Sequence, residues 1–114
     1  MEILKYLDRF KFITSYEVLD YKSWEQGSYS RLKITLSNGS HLFTKEYISE
    51  AERIYSFHWQ DKFDNLLTRW DNAPHHKDIA TFPHHKHENE KLCASNEITL
   101  EDVLAAIALQ LGSE

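Results

Sequence analysis

Five of the chain's seven histidines and both of its prolines fall in one stretch, RWDNAPHHKDIATFPHHKH, residues 69–87. So many titratable rings in so few residues admit three chemistries. The first is metal ligation. If residues 84–87 are extended, His85 and His87 point to one side and His84 to the other, so His85 and His87 can chelate one ion. A third imidazole would come from His58, His75 or His76, with Asp71, Asp78 or Glu88 as carboxylate ligand or orienter. The sequence requires no cofactor. A divalent metal such as zinc is the one these ligands would suit, although the spacing matches no closed zinc signature.

The second chemistry is metal-free proton transfer. His58, His75, His76, His84, His85 and His87 are candidates for general base and general acid, with Asp71 as an orienting carboxylate. Arg69, Lys77 and Lys86 would stabilise charge on a phosphate. Such a set can cleave RNA by letting the 2′-hydroxyl attack the adjacent phosphodiester. Trp59, Trp70 and Phe82 could stack on unpaired bases, the alternative for these rings being core packing. The third reading is structural. Histidines beside Asp71, Asn72 and Thr81 would donate hydrogen bonds to backbone carbonyls and hold a loop that has no ladder of its own.

The elements that must position these residues are partly legible. In SRLKITLSNGSHLFTKEYIS, two alternating runs flank Asn38-Gly39, a pair that tolerates the positive φ of a type I′ turn. A Ser37–Ser40 pairing sets Arg31 opposite Glu46 and Ile34 opposite Phe43. A second hairpin follows in RIYSFHWQ and LLTRWDN, joined by DKFDN. Tyr55, Phe57 and Trp59 then share one face, and pairing His58 with Arg69 sets Ser56 opposite Asp71 and Phe57 opposite Trp70. ITSYEVLDYKSW, residues 13–24, also reads as extended.

Helices are expected at both ends. Ile3, Leu7 and Phe10 have helical spacing in a short N-terminal segment. Near the other end, Thr99 and Asp102 form a capping signature, Leu100, Val103, Leu104, Ile107 and Leu111 make an apolar stripe, and Gly112 sits at the stop. The expected architecture is α+β: one domain over residues 1–114, with an antiparallel sheet of about five strands packed on the C-terminal helix.

Composition narrows the setting. A hydrophobic fraction of 41% and an aromatic fraction of 13% fit a packed globule rather than a disordered chain. Without an 18-residue apolar run or a signal-peptide core, the sequence indicates a cytoplasmic protein with no membrane contact. Cys93 has no partner for an internal disulfide, which agrees with a reducing compartment. The net charge of −5 opposes charge-driven binding of nucleic acid, so any RNA contact needs a local patch. The open edges of a small sheet could pair in a homodimer.

YSFHWQD at 55–61, RWDNAPHH at 69–76 and TFPHHKH at 81–87, with the helix start TLEDVL, resemble the TumE family of toxins from prokaryotic type II toxin–antitoxin modules. RLKITLSNGSHLFTKEYIS resembles that family's N-terminal hairpin, so the likeness covers nearly the whole chain. It implies a small cytoplasmic protein masked by a cognate antitoxin, often one with a DNA-binding domain. The family pattern carries onto His58, Arg69, Asp71, Asn72, Pro74, His75, His76, Pro83, His84, His85 and His87. Three functions remain open: a toxin that cleaves RNA through a histidine acid/base site, a protein-binding module that breaks no bond, and a metal-dependent hydrolase.

Overall fold

The computed structural model describes residues 2–112 and is α+β. Helix α1 (Glu2–Leu7) precedes strands β1 (Ile13–Trp24), β2 (Gly27–Leu36), β3 (His41–Ile48), β4 (Arg53–Gln60), β5 (Leu66–Asp71), β6 (His85–Glu88) and β7 (Lys91–Ala94), and helix α2 (Leu100–Gln110) follows. The strands form one antiparallel meander in chain order. The sheet therefore has seven strands rather than about five. The two extra strands, β6 and β7, are only four residues each, and all four in β6 are charged or polar, so it has no apolar alternation.

One face of the sheet is covered by the helices. Leu7 of α1 and Leu100, Val103, Leu104 and Ile107 of α2 share one core cluster with Leu32, Ile34, Leu36, Leu42, Tyr55, Phe57, Trp59 and Trp70. The expected capping box forms: the Thr99 hydroxyl accepts from the Asp102 backbone N–H at 3.2 Å, and the Asp102 carboxylate accepts from the Thr99 N–H at 2.9 Å. Gly112 ends the helix with φ of 79°, the left-handed conformation that a side chain disfavours.

The β4–β5 hairpin has the expected register, with His58 opposite Arg69, Phe57 opposite Trp70 and Ser56 opposite Asp71. The β2–β3 hairpin does not. It is shifted by one residue, so Ile34 faces Leu42 rather than Phe43, and Arg31 faces Lys45 rather than Glu46. The cause is the core. Leu32, Ile34 and Leu36 can bury only with Leu42 and Thr44 opposite, which needs a three-residue loop of Ser37, Asn38 and Gly39. Gly39 takes the left-handed position, with φ of 84°. Asn38 contributes through its side chain, whose Oδ1 accepts from the Ser40 N–H at 3.0 Å. Two successive positive φ values occur instead at Asn89 and Glu90, in the β6–β7 turn.

Candidate functional site

The face of the sheet opposite the helices carries the alternate residues of the same strands. Across it runs one row of paired positions: Arg31 on β2, Lys45 on β3, Ser56 on β4, Asp71 on β5 and His85 on β6. The neighbouring row holds Lys33, Phe43, His58, Arg69 and His87. Two cavities, of about 350 and about 200 Å³, lie on this face and share Lys45, Ser56 and Arg69 in their walls, so they form one continuous groove. His75, His76, His85 and His87 line one end, and Arg31, Phe43 and His58 the other.

Asp71 organises the imidazole end. Its side chain is 8% exposed, and it meets His85 Nε2 at 3.0 Å, Arg69 Nε at 3.2 Å and His87 Nε2 at 4.0 Å. The Ala73 N–H also donates to it, at 3.0 Å. His85 is buried, and its Nδ1 lies 2.9 Å from the Pro83 carbonyl oxygen. A carbonyl only accepts, so Nδ1 carries a hydrogen and Nε2 is the nitrogen turned toward Asp71 and the other rings.

The rings of His76, His85 and His87 meet edge to face, with centroids 4.9, 5.0 and 5.6 Å apart. Burial and the neighbouring His85 hold His87 below the ordinary imidazole pKa against the pull of Asp71. His58 is also held low, first by burial and then by the Arg69 guanidinium. Its Nδ1 lies 3.3 Å from Arg69 Nη1 and its Nε2 lies 3.1 Å from Gln60 Oε1. Since a guanidinium only donates, Nδ1 accepts and Nε2 carries the hydrogen. His58 and Asp71 therefore grip Arg69 from two sides.

A family model described as Toxin TumE matches residues 3–111. The chain belongs to the TumE family. No curated protein and no solved structure matches it. Among the described residues of this TumE chain, no helix is long and apolar enough to cross a membrane.

The TumE pattern residues divide by role. His58, Arg69, Asp71, His76, His85 and His87 come together on the groove, while His75 lines it from an exposed turn position outside the three-ring cluster. His84 turns the other way. Burial pushes the Tyr55 hydroxyl up to about 12, so it stays protonated, and it shares a 2.9 Å hydrogen bond with His84 Nδ1. Asn72 acts as scaffold, since its Oδ1 accepts from the Tyr55 N–H at 3.0 Å and its Nδ2 donates to the Arg53 carbonyl at 2.7 Å.

The residues expected to bind bases and phosphates are more dispersed. Trp59 and Trp70 are core side chains, 2% and 4% exposed, with no ring face left for a base, and Trp59 Nε1 donates to Ser40 Oγ at 3.0 Å. Lys86 faces Trp70 across the β5–β6 ladder, away from the groove, and its Nζ lies 3.6 Å from Glu88. Lys77 and Phe82 are exposed in the turn region between β5 and β6. Of the cations that line the groove, Arg69 is among those expected, whereas Arg31 and Lys45 follow only from the correct β2–β3 register.

In this arrangement His76 and His87 have exposure enough to pass protons to a bound molecule, whereas both nitrogens of His85 are already engaged. The three rings can also converge on one cation if His85 Nε2 exchanges its contact with the Asp71 carboxylate for the ion.

Proposed function

We propose that this chain is the toxin of a type II toxin–antitoxin module, that RNA is its target, and that a phosphodiester is cleaved at the centre built on Asp71. The observation that carries this reading is the pairing of Arg31 with Lys45. Like charges directly opposite each other on a sheet are unfavourable. Yet among the described residues neither side chain lies within ion-pair distance of an acid: Asp20, opposite Arg31 on β1, does not close to it, and Glu46, next to Lys45, is engaged by Arg53 at 2.7 Å. A polyanion laid along the groove relieves that repulsion.

The geometry suits an extended strand. Lys45 is two strands from Asp71 and Arg31 three, which at ~4.8 Å per strand gives ~10 and ~14 Å. Phosphates flanking the scissile one would sit over these cations, with Arg69 beside the scissile phosphate. The net charge of −5 is compatible with this, because Arg31, Lys45 and Arg69 give the groove a local cationic lining. The antitoxin would act by masking the same face.

Expression of the chain arrests growth and co-expression of the neighbouring antitoxin relieves it. With purified protein and single-stranded RNA, Lys45→Ala lowers the slope of log K against log salt by about one, and Arg31→Glu weakens binding further. Arg69→Ala abolishes cleavage while leaving most of the binding. RNA affinity unchanged in Lys45→Ala and Arg31→Glu would overturn the reading of the groove. Growth arrest by Arg69→Ala as strong as the parent's would leave a binding module that breaks no bond.

A further inference from the structure

We infer that His76, His85 and His87 bind one divalent first-row transition ion, with zinc the best fit to three imidazoles. The rings come from two separate pieces of chain, the turn after β5 and the strand β6, and their donor atoms all lie within 4.8 Å of one another. Tetrahedral zinc with Zn–N bonds of ~2.0–2.1 Å needs donors ~3.4 Å apart. The widest-spaced donors must close by up to ~1.4 Å, and His76 is the one of the three outside the strand ladder.

Two further contacts fit ligation. Metal-bound histidine commonly donates its second ring N–H to a backbone carbonyl, which fixes the tautomer and aims the other nitrogen at the ion. His85 does this with the Pro83 carbonyl at 2.9 Å, so Nε2 is the nitrogen an ion takes, replacing its 3.0 Å contact with Asp71 Oδ1. Asp71 supplies the negative charge, with Oδ1 3.0 Å from His85 Nε2 and Oδ2 4.0 Å from His87 Nε2. Three nitrogens beside one carboxylate select against calcium and magnesium, which take oxygen ligands. The cavity of about 350 Å³ on which the rings open leaves room for a further ligand on the groove side, flanked by Lys45 and Arg69.

Metal binding does not rest on RNA being the target. If both hold, the ion is what makes the centre reactive.

The test is a titration of the chelator-stripped full chain with Zn²⁺ by calorimetry, and with Co²⁺ by its visible absorption. One equivalent binds, and cobalt gives the intense bands of a low-coordinate site. His76→Gln, His85→Gln and His87→Gln each weaken binding by ~100-fold or more, and Asp71→Asn by ~10–100-fold. His75→Gln and His41→Gln bind as the parent does. Far-ultraviolet circular dichroism verifies that each variant folds, and should His85→Gln fail, His76→Gln on its turn still decides the matter. Uptake well below one equivalent, or binding unchanged in both His76→Gln and His87→Gln, overturns the inference. RNA cleavage that persists in chelator and leaves 2′,3′-cyclic phosphate ends would return the centre to proton transfer between His76 and His87, with the RNA reading intact. Stoichiometric zinc without RNA binding would leave the metal site standing and remove the RNA reading instead.

Discussion

The two faces of the sheet are built from alternate residues of the same strands, yet they obey different rules. On the helix-covered side, Tyr55, Phe57 and Trp59 of β4 are at most 2% exposed and pack with the core residues of the helices. On the open side, Ser56, His58 and Gln60 of the same strand are half-buried, and the neighbouring strands set Arg31 beside Lys45 and crowd imidazoles around Asp71. The first face derives its free energy from apolar burial, and so must be filled without gaps. The second can hold unfavourable neighbours because the first has already fixed the backbone. The proposed function sits on the face that folding needs least.

The sharpest way to break that contrast uses two adjacent residues. Phe57→Ala removes a buried ring from the core and should cost ~3–5 kcal/mol, whereas Ser56→Ala on the groove should stay within ~0.5 kcal/mol. Urea unfolding at constant slope reads both. A comparable loss from Ser56→Ala would mean that the open face carries stability as well.

Asn72 lies at the join between the faces and should give an intermediate effect. Its amide satisfies a backbone N–H and a backbone carbonyl of β4, at 3.0 and 2.7 Å, just past the end of β5. Asn72→Ala leaves both groups without that partner, which should cost ~1–3 kcal/mol. Asn72→Asp keeps the acceptor but sets a carboxylate against the Arg53 carbonyl, so it should not restore stability. If Asn72→Asp unfolds at the parent's urea concentration, the amide's donor side is not part of the scaffold.

The same contrast explains what could be read from the sequence. The β4–β5 register was legible because Tyr55, Phe57 and Trp59 alternate with polar residues, and pairing Phe57 with Trp70 is what keeps the aromatics on one face. From it followed the approach of His58, Arg69 and Asp71. In β3, Leu42 and Phe43 are adjacent and both apolar, so local pattern could not choose a face, and Asn38-Gly39 pointed to a two-residue loop. A two-residue loop would set Arg31 opposite Glu46, whereas the three-residue loop makes Arg31 and Lys45 neighbours. β6 is legible only as a short extended piece, because it buries a histidine rather than an aliphatic residue, and β7 is not legible, because the β6–β7 turn, at Asn89 and Glu90, has no glycine. His76 could not be told from His75 by spacing, since both lie on an irregular turn whose path only tertiary contacts decide.

The smallest effect is one of pH, and it separates the faces by charge rather than by packing. His58 and His87 are held below the ordinary imidazole value of ~6.5, so just below that pH the unfolded chain binds more protons than the folded one. Their contribution is fully present above ~6.5 and is lost as pH falls through the lowered folded values. On metal-stripped protein, the urea midpoint should therefore decline between about pH 7 and pH 5, above the range in which ordinary carboxylates titrate. His58→Gln should flatten part of that decline, and His58→Gln with His87→Gln more of it. On the helix-covered face the buried hydroxyl of Tyr55 is shifted upward to about 12, far outside this range. A decline of the same steepness in the double variant would move the pH sensitivity away from the open face and weaken the case that its imidazoles are kept neutral there.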